Sequence, residues 1–473
     1  MKNNKRLFFL FAGPIIFALC CTLLPATIFE TFAARAAVGT VLWMAFWWVT
    51  APIDYAVTAF LPIAVNAICK MTEMQSVIAN YASETIILLL GASIITVSWE
   101  ETGLEKRIAA KFLGTVGSSF RKQLIFWFLL SLTLSSVLPN AVVVAAITPI
   151  AVSMFNYIDN GNLVNDKKRS KLLLYIAYAA GIGGLASPLG GAMNLVTVDY
   201  LQQLTGKEYM YTSWVVRFFP IMLVLIVSNL LFMIRDVKKT DILGDSKEYF
   251  QKEYSKLPKI TIEEKLSLII FIVATLLAFT RQLYQDFLPG LKPSYAFIIC
   301  AIITFLITNR EGSLVLKWKN VQTKVAWDMI YIFAGGLAAG TLINNSGAAQ
   351  NIGFAVSHIG IGGGFVLVSI IIAFTLLMSD FTSNTATAAV AIPIVISIVQ
   401  GLGLNPIPYV YIASIGVNIS YMLPTSIRAI PVGYGVSPKY MLQEGWKMTI
   451  LVILLMSAIG YFLLKYWTLF STI

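Results

Sequence analysis

The sequence predicts an all-α polytopic membrane protein, with about 11 transmembrane helices plus two re-entrant hairpins arranged as inverted repeats. Three observations carry this prediction. The chain of 473 residues is 58% hydrophobic and only 12% charged, with a mean hydropathy of +0.79; soluble domains carry about twice that share of charge. Sliding the chain along itself by 244 residues pairs Glu84 with Asp328, Gly91 with Gly335 and Gly103 with Gly347. The same shift pairs Ile108 with Ile352, Asn140 with Asn384 and Pro149 with Pro393, without a gap. Finally, Ser379-Asp380-Phe381-Thr382-Ser383-Asn384-Thr385-Ala386-Thr387 is a polar break between apolar flanks, each too short to cross a bilayer alone. Ser135-Ser136-Val137-Leu138-Pro139-Asn140-Ala141 is its counterpart in the first half.

In chain order, residues 1–29 hold the first span, over roughly 7–29. Repeat 1 covers 30–234. Its scaffold spans lie within 33–115: one to about residue 51, where Pro52 ends it, a second over 53–69 and a third over 84–102, followed by a basic amphipathic stretch. The first hairpin occupies 123–154. A span over 171–205 follows, broken at Ser187-Pro188-Leu189-Gly190-Gly191-Ala192-Met193-Asn194, and then a span over 213–234. Residues 235–264 are polar and read as a cytoplasmic linker with some helix. Repeat 2 covers 265–473, with scaffold spans in 265–346, the second hairpin at 363–400 and a broken span at 408–436. The break falls at Pro424-Thr425-Ser426-Ile427-Arg428, and a last span covers 446–468.

The net charge of +11 sits mostly in short loops between spans. That is the positive-inside pattern rather than a nucleic-acid patch, and it predicts a cytoplasmic N-terminus and an external C-terminus in the plasma membrane. An odd number of spans per repeat then inverts the two halves, so the hairpins enter from opposite faces. Cys20, Cys21, Cys69 and Cys300 lie in apolar segments without metal-ligand spacing, and His358 is the only histidine; a redox pair, a histidine metal site and a histidine proton relay are excluded. The basic start followed by an apolar run resembles a signal peptide but lacks a cleavage site, so it reads as a retained span.

Polar interruptions at matching places in two repeats point to a carrier's binding site. A shift of 236 residues pairs Pro188 with Pro424 and Gly190 with Ser426, placing a broken span beside each hairpin. Unwound backbone offers carbonyls to a cation, and helix starts offer N–H groups to an anion. Asn140 and Asn384 supply amides, and Ser383 and Thr385 supply hydroxyls. The candidate substrate-binding set is Asn140, Ala141, Gly190, Gly191, Ser383, Asn384, Thr385, Pro424, Thr425, Ser426 and Arg428. No catalytic residue, metal ligand or cofactor is assigned: no nucleophile–base pair occurs among the spans. Gly360-Ile361-Gly362-Gly363-Gly364 has no preceding strand and is no nucleotide loop. Asp54, Glu84, Asp328 and Asp380 read as caps or ion-pair partners rather than proton relays.

Ser383-Asn384-Thr385, Trp47-Trp48-Val49-Thr50 with Thr58-Ala59-Phe60-Leu61-Pro62, and Tyr421-Met422-Leu423-Pro424-Thr425-Ser426 together resemble the divalent-anion:sodium symporter family of di- and tricarboxylate carriers. The resemblance extends over nearly the whole chain. It implies a homodimer in the lipid bilayer with a fixed scaffold and a mobile transport domain, working as an elevator. It also implies that both tips hold substrate carboxylates, with sodium behind them. The sequence departs from the family at two places: Pro139-Asn140-Ala141 stands where the family has Ser-Asn-Thr, and Ile427-Arg428-Ala429-Ile430 puts a permanent cation beside the site. A buried arginine in a membrane is a functional candidate by default; its structural alternative is snorkelling or pairing with Asp380. Read as a fixed charge replacing mobile sodium, Arg428 predicts a sodium-independent exchanger of C4–C5 dicarboxylates such as succinate, fumarate, malate and 2-oxoglutarate. The alternative is a sodium-coupled di- or tricarboxylate symporter, citrate included. An ion channel would need a continuous pore instead of two inverted hairpins.

Overall fold

The computed structural model describes residues 2–113, 117–159, 166–244, 246–309, 311–357 and 362–473. His358 and residues 360–361 of the glycine-rich stretch lie outside the described residues. Every regular element among the described residues is a helix. Helix α1 (Lys2–Leu23) ends two residues before Pro25 and packs on α2 (Phe32–Thr50). The hydroxyl of Thr31 caps α2 by accepting from Ala34 N at 3.1 Å. Ala51, at φ 46°, closes α2 in the left-handed conformation immediately before Pro52.

The stretch expected as one span over 53–69 is interrupted. It forms two pieces, Tyr55–Thr58 and Leu61–Cys69, because Pro62 lacks an N–H and its ring clashes with a helical carbonyl four residues earlier. The longer piece rises only about 14 Å, less than half the hydrocarbon thickness.

Each half then repeats one series of helices. In the first half it is α3 (Glu84–Thr102), α4 (Leu104–Leu113), α5 (Phe120–Ser135), α6 (Asn140–Ile158), α7 (Asp166–Gly184), α8 (Ala192–Thr205) and α9 (Tyr211–Ile234). A charged helix, Ser246–Lys256, lies in the connection. The second half opens with α10 (Ile262–Phe279) and α11 (Pro293–Thr304). Thr261 and Glu264 form a reciprocal capping box at the start of α10, satisfying two backbone donors that would otherwise lack partners. Then come α12 (Trp327–Asn345), α13 (Ala348–Ser357), α14 (Phe365–Phe381), α15 (Asn384–Gly401), α16 (Pro406–Asn418) and α17 (Pro438–Tyr466). Among the described residues, seven helical segments are long and apolar enough to cross a membrane.

Burial separates an inner body from its lipid-facing surroundings. Every residue of α7 from Ser170 to Gly184 is buried, as is every residue of α16 from Pro408 to Asn418. Phe8, Phe11, Phe219, Leu276 and Leu454 instead point outward from α1, α9, α10 and α17. Exposed apolar faces of this kind have hydrocarbon as their natural solvent.

Close backbone approach sets the position of the first hairpin. On α7, a Cβ added to Gly183 would collide with the Leu132 backbone of α5. Gly183→Ala should therefore lower stability by about 1–3 kcal/mol, read as a drop in the thermal unfolding midpoint of detergent-solubilised protein; an unchanged midpoint would show that α5 and α7 separate without cost.

Candidate functional site

Helix α5 ends at Ser135 and, after a tight turn, extended Pro139 leads into α6 at Asn140. The hairpin is fastened to α7 by Ser131 Oγ donating to Ile176 O at 2.8 Å and Ser135 Oγ donating to Ala180 O at 2.7 Å. Such bonds suit a lipid-embedded helix pair because neither hydroxyl has water as an alternative partner. Behind the tip, α7 unwinds after Gly184. Ser187 Oγ donates back to Ser136 O at 2.5 Å. Pro188–Gly190 forms one short turn, and Gly191 is extended at φ −179°. A Cβ on Gly190 would strike the Gly184 carbonyl, and one on Gly184 would lie 3.5 Å from Asn140 Nδ2. That Nδ2 is buried without a hydrogen-bond partner. Ala141 is exposed at the tip.

At the second tip, Ser383 caps α15 by accepting from Ala386 N at 3.1 Å. The next residue, Asn384, is buried and already engaged. Its Oδ1 accepts from Ser379 Oγ at 2.9 Å and its Nδ2 donates to Asn418 O at 3.3 Å. The hydroxyls of Thr382 and Thr387 lie 2.6 Å apart inside the turn, and Thr385 is half-buried.

Past Asn418 the second broken span wraps around Asp380. Its Oδ1 accepts from Tyr421 N at 3.0 Å, Met422 N at 2.8 Å and Leu423 N at 3.4 Å. Thr425 Oγ1 donates to Asp380 O at 2.8 Å, Pro424 lies within the wrap, and Ser426 takes a left-handed φ of 51°. Asp380 Oδ2 is buried without a partner.

Arg428 differs from its expected role. It is 1% exposed and turned into the break. Nε donates to Leu423 O at 2.9 Å, Nη1 to Ser420 O at 3.3 Å and to Ser420 Oγ, and Nη2 to Ser379 O at 3.1 Å and Thr425 Oγ1 at 2.6 Å. A guanidinium has five N–H donors, and all five are engaged. Its charge is balanced by Asp380, 3.9 Å away.

Between the two breaks, two side-chain pairs link α8 to α16. Asn418 Nδ2 donates to Asn194 Oδ1 at 2.8 Å, while Asn194 Nδ2 donates to Gly184 O at 2.6 Å and Ser187 O at 2.8 Å. One helical turn away, Thr197 Oγ1 meets Ser414 Oγ at 3.1 Å. Asn418 Oδ1 is buried and unpartnered. The structure thus brings Asn140, Gly190 and Gly191 together at the first break, and groups Pro424, Thr425, Ser426 and Arg428 around Asp380. Sequence reasoning missed Ser379 and Asn418 as organisers of the site. The available signal for Asn418 was a lone amide in the apolar run Tyr411–Asn418, a position that hydrocarbon tolerates only with a partner.

Two paired hairpin tips facing two unwound helices inside a membrane-embedded body define a secondary carrier, not an enzyme. The citrate transporter family profile (CitMHS) matches residues 45–416. The chain belongs to that family, within the divalent-anion:sodium symporters that its motifs resemble. It is 28% identical over 485 residues to the sodium-dependent dicarboxylate transporter SdcS of Staphylococcus saprophyticus, covering 98% of this chain and 93% of that protein. It is 26% identical over 440 residues to SdcS of Staphylococcus aureus, covering 89% and 84%. Among solved structures, the YdaH transporter of Alcanivorax borkumensis superposes with a TM-score of 0.52 at 11% identity, covering 83% of this chain and 88% of that one. MtrF of Neisseria gonorrhoeae gives 0.50 at 15% identity, covering 96% of both. These two likenesses concern fold alone.

The relatives overturn one expectation. Sodium-independent exchange was inferred from Arg428, yet the similar proteins are sodium-dependent dicarboxylate transporters. The physical reason is visible in the break: Arg428 has no donor left for a cargo carboxylate and its charge is already balanced, so it does not replace a mobile cation.

Proposed function

We propose that this protein is a sodium-coupled symporter of dicarboxylates in the plasma membrane. The observation that carries the reading is a complementary set of three unpartnered buried atoms. Asn140 Nδ2 is a donor without an acceptor at the first tip; Asn418 Oδ1 and Asp380 Oδ2 are acceptors without donors at the second break. Buried polar atoms seldom lack partners, and these suit an anion and a cation respectively. A dianion entering a low-dielectric site needs compensating charge. With Arg428 fully engaged, that charge is supplied by the sodium that enters and leaves with the cargo. The candidate set remains Asn140, Ala141, Gly190, Gly191, Ser383, Asn384, Thr385, Pro424, Thr425 and Ser426, with Arg428 moved from contact to support.

The carrier works as an elevator, with α5–α8 and α14–α16 as the moving body. In support, small residues of α12 line the seam: Gly336 abuts Ala389 of α15, and Gly340 abuts the Tyr200 hydroxyl of α8. Small side chains leave few interlocking ridges to resist sliding. In this reading the protein is a homodimer, with its N-terminus cytoplasmic, its C-terminus external and its tips approached from opposite faces.

Proteoliposomes test the coupling. Labelled succinate should enter vesicles empty of dicarboxylate when an inward sodium gradient is imposed, and replacing sodium by choline should abolish uptake. Uptake that ignores the cation, or that requires preloaded dicarboxylate, would refute the symporter reading.

A further inference from the structure

A cavity of about 150 Å³ lies against the first tip, bounded there by Pro139, Ala141, Leu189 and Gly191. Its flank on α3 is mostly apolar, with Leu88, Leu89, Ala92 and Val97, and Met329 closes it from α12. Among the described lining residues, the charged ones are Glu100, Glu105 and Lys324, at the rim. Lys324 Nζ lies 2.6 Å from Glu100 Oε1 and 2.8 Å from Glu101 Oε1. Hydrogen bonding to Glu100, and then to Glu101, holds this ammonium above the usual lysine range, so it stays charged at any working pH. Among the described residues, Lys324 is the only cation lining the cavity.

We propose that Lys324 is the vestibule residue that meets one carboxylate of the dicarboxylate on its way between the rim and the first tip, and that Glu100 and Glu101 set how readily it does so. The inference rests on the dicarboxylate reading above. An ammonium has three N–H donors, so a carboxylate can bind the third and then displace one glutamate. Among the described lining residues, an anion crossing the apolar wall meets no second cation on its way to the first tip. The two glutamates compete for the same ammonium, keeping the vestibule contact weak enough for cargo to pass on. All three side chains are partly exposed, with 34% for Lys324 against 51% and 28% for Glu100 and Glu101. The effect is therefore modest and weakened by salt.

The bridge also ties α3 to the loop before α12, so the test separates that structural role from a role toward cargo. Right-side-out and everted vesicles would be compared for sodium-driven succinate transport at low ionic strength. Lys324→Gln should raise KM about three- to fivefold, from one face only, with maximal rate and sodium dependence retained. Lys324→Arg should restore it. The double variant Glu100→Gln/Glu101→Gln breaks the same bridges but frees the lysine, and should lower KM about two- to threefold. If the bridge is structural only, both disruptions move KM in the same direction, and the assignment to Lys324 fails. An unchanged KM in Lys324→Gln also overturns it. Wild-type protein that carries no dicarboxylate would instead sink the proposed function, a result readable before any variant is made.

Discussion

Arg428→Ala is expected to remove about 3–5 kcal/mol of stability and to abolish transport along with the folded state. The buried guanidinium satisfies Ser379 O, Ser420 O and Leu423 O and balances Asp380 at 3.9 Å. Alanine leaves a buried carboxylate without its counter-charge and three carbonyls short of a donor, in a region that water does not fill cheaply. Arg428→Lys should recover only part of the loss, because three donors on a flexible stem cannot reproduce a planar fork with five. The measurement is the thermal unfolding midpoint of purified protein, alongside succinate uptake by whatever fraction remains folded. Residual uptake should stay sodium-dependent. A variant with the wild-type midpoint and no transport would return Arg428 to the cargo site and contradict its supporting role.

Asn140→Ala should weaken dicarboxylate affinity about ten- to a hundredfold, since a hydrogen bond to a charged group is worth about 1.5–3 kcal/mol. Stability should hold, because Asn140 Nδ2 has no protein partner to lose. Asn384→Ala should behave differently. Its amide links Ser379 of α14 to Asn418 of α16, so affinity and thermal midpoint should fall together. Binding titrations and unfolding midpoints on both variants separate the two roles. Unchanged affinity in Asn140→Ala would remove cargo from the first tip.

Much of this architecture is legible in the chain because it is local. Burial in lipid forces helices, and proline or a run of Ser, Asn and Thr interrupts them where it stands. α6 and α15 accordingly begin at Asn140 and Asn384, and the first broken span unwinds around Pro188. The gapless pairing of Gly91 with Gly335 and of Pro149 with Pro393 marks the two halves as copies. Over 53–69 the apolar composition suggested one unbroken helix, while Pro62 divides it.

What the tertiary structure alone decided is which polar groups are already taken. The sequence presents Asn140 and Asn384 as equivalent amides, yet one is unpartnered and the other is bound to Ser379 and Asn418. It leaves Arg428 either a functional intramembrane cation or a partner of Asp380, and the fold takes the second course: Ser379 and Asp380, nearly 50 residues away, occupy and balance it. It does not reveal that Asn418 reaches Asn194 across 224 residues. A residue's type fixes how many hydrogen bonds it can form. Whether any remain for cargo depends on which distant segments pack within about 3 Å of it, and that distance is set by how the two halves fit together.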